Sequence, residues 1–111
     1  MNRVGNAGAG AMVRSGLQAL GEGRFALSGE LGYGTVSALL AAGSRAFAPH
    51  AAVEVDLASV TRCDSAGVAL LLEWVRGAGA RGARIAFRNL PAGLLAIASI
   101  SDADELLPRA G

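Results

Sequence analysis

The feature that most constrains this chain is an abrupt change in the period of its apolar residues. In "VEVDL", Val53, Val55 and Leu57 alternate with Glu54 and Asp56, the pattern of a strand with one face on a core. Beyond a short polar stretch the period becomes helical. Val68, Leu71, Leu72, Val75, Ala78 and Gly79 fall on one face of a segment expected to start at Asp64 or Ser65 and run to about Arg81. No single element carries both periods, so the chain must pass from a sheet to a helix packed on it.

The same succession recurs on either side. Upstream, the even spacing of Phe25, Leu27 and Leu31 behind a turn at Gly21 to Gly23 predicts a hairpin of Gln18 to Leu20 and Arg24 to Ser28. A helix follows from near Thr35 to before Pro49, with Val36, Leu39, Leu40, Gly43 and Phe47 inward. Downstream, "RIAFRNL" predicts a strand with Ile85 and Phe87 inward. Pro91 then suits the first turn of a third helix carrying Leu94, Leu95 and Ala98. Strands alternating with helices imply parallel crossovers, so the expected class is α/β: a mixed sheet of about four to five strands. Polar Glu54 and Asp56 on the reverse of the strand place the helices mainly on one face. At 111 residues one domain is expected, with residues 1–16 as a glycine- and alanine-rich N-terminal tail, 17–108 as the domain and 109–111 as a C-terminal tail.

Composition removes most chemistries. All 10 basic residues are arginine, which excludes a phosphate-loop lysine, a Schiff base and a lysine general base. His50 and Cys63 are the sole histidine and cysteine, so neither a disulfide nor a His/Cys zinc cluster can form, and no metal or other cofactor is expected. A net charge of +1 with scattered arginines gives no field for nucleic acid. Every apolar run is interrupted well short of the roughly 18 residues of a membrane span, and the first residues lack a signal-peptide centre, so a cytoplasmic location without a direct membrane span is expected.

The stretch "TRCDSAGVALLLEW" between strand and helix has three readings: a nucleophile, a phosphorylation site or an ordinary helix start. Asp64 and Ser65 are both common N-cap residues, and Gly67 in the first turn suggests a close backbone approach. A serine nucleophile needs a base within reach, and lysine is absent while His50 lies in another segment. Catalysis is therefore not expected. Cys63 reads as a small apolar residue, and His50 beside Pro49 as solvated.

The "V-x-V-D-L" strand of Val53, Val55, Asp56 and Leu57, followed by Val60, Asp64, Ser65 and Gly67 and then a leucine-rich helix, resembles the STAS domain. That family includes anti-sigma-factor antagonists, sulfate-transporter tails and small transporter subunits. Within it, "LSGEL", "GVALLLEW" and the terminal "DELLPR" are most similar to the cytoplasmic STAS subunit of Mla-type ABC transporters, which handle phospholipids and maintain lipid asymmetry in Gram-negative bacteria. The resemblance implies an anti-sigma-factor-antagonist-like fold, no catalytic residues, and an ABC transporter ATPase subunit as partner, which places the chain peripherally at the inner membrane. The chain departs from many transporter members in carrying Ser65 where they have threonine. The rival implication is an antagonist switched by phosphorylation of Ser65, with an anti-sigma-factor serine kinase as partner.

Gly67, Leu70 and Trp74 line up along one flank of the second helix, off its core stripe. Either a neighbouring helix covers them or they form a partner-binding strip. With tryptophan enriched at interface hot spots and the family's loop and helix meeting its partner, the strip is the favoured reading. The expected partner surface is thus Asp64, Ser65, Ala66, Gly67, Leu70 and Trp74.

Overall fold

A computed structural model describes residues 16–110. Residues 1–15 of the expected tail, and Gly111, lie outside the described residues. The chain runs β1 (Gly16–Gly21), β2 (Arg24–Leu31), α1 (Val36–Phe47), β3 (Ala52–Cys63), α2 (Ser65–Ala80), β4 (Arg84–Arg88) and α3 (Ala92–Ile100), then a short 3₁₀ turn at Ala103–Leu106. The sheet has 4 strands in the order β1-β2-β3-β4. β1 and β2 are antiparallel; β2, β3 and β4 are parallel and joined through α1 and α2. The expected α/β class and mixed sheet are observed.

Register explains the two faces. Phe25, Val55 and Phe87 stand side by side across three strands, as do Val53 and Ile85 across two, and all are buried beneath the helices with Leu27 and Leu57. One residue out of phase, Ala26, Asp56 and Arg88 form a row on the opposite face, beside Arg24, Glu54 and Ala86. Because the side-chain period is two, a one-residue slip would exchange these rows, so the apolar set pins the register. The polar row is tied together by Arg88 Nε donating to Glu54 Oε2 at 2.7 Å and Asn89 Nδ2 donating to Asp56 Oδ1 at 3.0 Å. The Asn89 bond, then the Ala58 N–H and the charge of Arg88, hold the Asp56 carboxyl below its ordinary range.

Several boundaries differ from expectation. Gly16 belongs to β1, and β2 continues to Leu31. The segment Ala58–Cys63, expected as a loop, extends β3. It keeps pairing with β2 as far as Leu31 opposite Cys63, through register shifts at Ala26/Ser28 and Gly29/Glu30. Those irregularities break the alternation that marks a strand in sequence. Pro91 is the N-cap of α3 and not its first helical residue. Arg109, expected in a tail, bridges Phe87, whose N–H donates to Pro108 O at 2.8 Å, and Ala110 N–H donates back to Phe87 O at 2.9 Å. The helix faces are shifted as well: Leu40 is partly exposed and Gly79 is exposed, while Leu72, Val75 and Leu95 are only half-buried. Among the described residues no helix is long and apolar enough to cross a membrane.

Candidate functional site

β2 and β3 end side by side, and the turns that follow them meet. Leu31 lies opposite Cys63, and the Asp64 N–H donates to Leu31 O at 3.0 Å. Asp64 is the N-cap of α2: its backbone is extended and its Oδ1 accepts from Ala66 N–H at 2.8 Å and Gly67 N–H at 3.4 Å. The carboxylate thereby satisfies helix N–H groups that would otherwise lack partners and sits where the helix dipole favours negative charge. The ordinary helix-start reading of Asp64 is thus structurally realised.

Two glycines allow this junction. A Cβ at Gly32 would lie 2.7 Å from Asp64 Oδ2. One at Gly67 would lie 2.7 Å from each of Cys63 Sγ, Leu31 Cβ and Leu31 O, and the carbonyl is backbone that cannot yield. Gly67 is therefore the close-approach residue its place in the first turn suggests. The facing turn is clamped by Thr35, whose Oγ1 donates to Glu30 O at 2.8 Å and accepts from Gly32 N–H at 3.1 Å. Cys63 donates its thiol to Asp64 O at 3.3 Å. Burial, aided by the nearby Asp64 charge, pushes its pKa up to about 11, so the thiol is protonated at neutral pH.

Of the expected partner residues, Ser65 is exposed at the start of α2, and Asp64 and Ala66 are half-buried beside it. Gly67, Leu70 and Trp74 are not at the surface. Leu70 and Trp74 are each only 3% exposed. The expected flank strip is corrected to a buried one: Gly67 lies against Leu31 and Cys63, and α1 covers Trp74. Trp74 packs edge-on to Phe47 with centroids 5.1 Å apart, and Phe47 in turn meets Phe25 at 4.9 Å. The indole fits because Gly43 of α1 has no side chain; a Cβ there would overlap the ring. A wheel drawn on α2 alone cannot contain this, since the space is made by a glycine on another helix. The Trp74 Nε1–H is buried and finds no acceptor among the described residues.

Sequence reasoning also passed over Tyr33. It lies between Gly32 and Gly34 in the turn facing Asp64 and is 86% exposed. The signal available was an aromatic residue between two glycines ahead of an N-cap threonine. His50, expected to be solvated, is half-buried with its ring 5.8 Å from that of Phe25. Phe25 and its neighbour Arg24 pair with Val55 and Glu54, early in both strands, whereas Ser65 follows the last pair, Leu31 and Cys63. The lone histidine and Ser65 therefore lie toward opposite ends of the sheet. Among the described residues no group of three or more His, Cys, Asp or Glu side chains could hold a metal ion.

Residues 15–108 match the family model described as "Mlab, STAS domain". None of the curated proteins compared with the chain matches it. Among solved structures, the chain is similar to one from the Acinetobacter MlaFEDB complex in an ATP-bound conformation, at TM-score 0.71 and 21% identity, over 84% of this chain and 98% of that one. It is similar to an anti-sigma factor antagonist from Mycobacterium paratuberculosis, at TM-score 0.70 and 19% identity, over 86% and 82%. The phosphorylated form of the Bacillus cell fate determinant SpoIIAA follows at TM-score 0.64 and 20% identity, over 87% and 91%. At such identities these neighbours establish the fold, and the family model covers almost all of the described residues. The chain belongs to the STAS domain family.

Proposed function

We propose that the chain is a non-catalytic STAS subunit that binds and stabilises or regulates the ATPase of an Mla-type phospholipid ABC transporter, cytoplasmic and held at the inner membrane through that complex. The observation that carries this reading is the capped turn that holds Ser65 exposed between half-buried Asp64 and Ala66, in a fold whose family model is named for the Mla subunit. The turn contributes shape and hydrogen-bonding groups: the lone histidine, His50, lies toward the other end of the sheet from Ser65, and the thiol of Cys63 is kept neutral. Gly67, Leu70 and Trp74 act in this reading from beneath, by fixing α2 and hence the turn. The likeness to a chain of the MlaFEDB complex supports the choice of partner.

A second reading, an antagonist switched by phosphorylation of Ser65 and answering to an anti-sigma-factor serine kinase, is favoured by one observation. The Ser65 hydroxyl is exposed at a helix N-terminus, where a phosphate meets the positive end of the dipole. Co-purification separates the two. The account expects the tagged chain to retain an ABC ATPase, to hydrolyse no ATP by itself and to alter hydrolysis only when that ATPase is present. Retention of a serine kinase in its place, with a phosphate added at Ser65, would establish the second reading.

A further inference from the structure

Exposed apolar side chains are ordinary on a protein surface, and Leu20, Ile100 and Leu106 are of that kind, standing on separate elements. Tyr33 differs in how it is held. Its neighbour Gly32 is pressed against the Asp64 carboxylate, and the Thr35 N–H and Val36 N–H donate to Gly32 O at 2.9 and 3.0 Å. The Thr35 hydroxyl closes the same turn onto Glu30 O and Gly32 N–H. The backbone carrying Tyr33 is therefore hydrogen-bonded within its own turn and lies against the N-cap of α2, while 86% of the residue remains in solvent. An aromatic ring on a rigid mount loses little freedom on binding, and tyrosine is among the residues enriched at interface hot spots.

We infer that Tyr33 is the aromatic anchor of the partner surface, projecting beside Ser65 so that the two turns form one contact patch. This rests on the ATPase-binding reading and adds a residue to it: the anchor comes from the β2–α1 turn and not from α2. The patch has a cap carboxylate beneath it, a hydroxyl at Ser65 and a single large ring. It fits a protein surface that offers a pocket for the ring and hydrogen-bonding groups around it.

The test is calorimetric titration of the Mla-type ATPase subunit of the same genome with wild type, Tyr33→Ala and Ile100→Ala. Ile100 is the control, being equally exposed at 86% on α3. Tyr33→Ala is expected to weaken binding about 30-fold with an unchanged melting temperature, and Ile100→Ala to stay within about twofold of wild type. Wild-type binding with equal affinity in Tyr33→Ala overturns the anchor and leaves the ATPase reading standing. An equal loss in both variants also overturns it, since the effect would not be local to the patch. A wild-type chain that does not bind the ATPase overturns the proposed function and this inference with it.

Discussion

The first turn of α2 and its middle turns belong to one helix and serve opposite ends. At Ser65 the helix is open to solvent, its free N–H groups answered by Asp64; further along, Leu70 and Trp74 are buried, Trp74 against α1. What separates them is the neighbouring element: a clamped turn at Gly32 to Thr35 in one case and a helix notched by Gly43 in the other. An aromatic residue beside a recognisable motif is therefore not by that fact part of the motif's surface. Here the buried tryptophan shapes the support and an unremarked tyrosine occupies the surface.

The sharpest way to break this contrast is at Trp74. Truncation by Trp74→Ala is expected to cost about 3 to 5 kcal/mol of stability, because the ring leaves a cavity against Phe47. Urea unfolding would show this as a fall in midpoint, and any loss of partner binding should track loss of fold. Trp74→Phe should be milder, since it keeps most of the ring packing and removes a buried donor that has no acceptor. A stable Trp74→Ala variant that no longer binds would return the residue to the interface.

A smaller effect is expected at the cap. Asp64→Ala removes the acceptor for Ala66 and Gly67 N–H and should cost about 0.5 to 2 kcal/mol in the same assay. Asp64→Asn, which can still accept, should recover most of it. A loss in Asp64→Asn as large as in Asp64→Ala would mean that charge and not capping is what Asp64 supplies.

The sheet and helices were legible because their information is local. Val53, Val55 and Leu57 alternate, Ile85 and Phe87 repeat the pattern, and Asp64 marks the start of α2, all visible within a few residues. The extension of β3 through Ala58–Cys63 was not, because register shifts in its pairing with β2 disrupt the alternation there. The site was half legible for a related reason. Asp64, Ser65 and Gly67 announce a capped turn, and Gly67 proves to be the close approach. The burial of Trp74 depends on Gly43, 31 positions earlier, and the setting of Tyr33 on a contact between Gly32 and Asp64. Such long-range complementarity leaves no period to read.

The central claim is that the exposed turn at Ser65 is the contact surface and the seam at Trp74 its support. A charge placed at Ser65 tests this most directly, because the helix N-terminus tolerates it in the free domain whereas an interface that buries it beside Asp64 does not. The measurement is the affinity of Ser65→Glu for the ATPase subunit by calorimetry, paired with its melting temperature and with Ser65→Ala as the milder change. The account predicts a melting temperature close to wild type and a clearly weakened complex for Ser65→Glu. Binding as tight as wild type would show that the turn is not the contact surface, and unfolding of Ser65→Glu would show that Ser65 serves the fold.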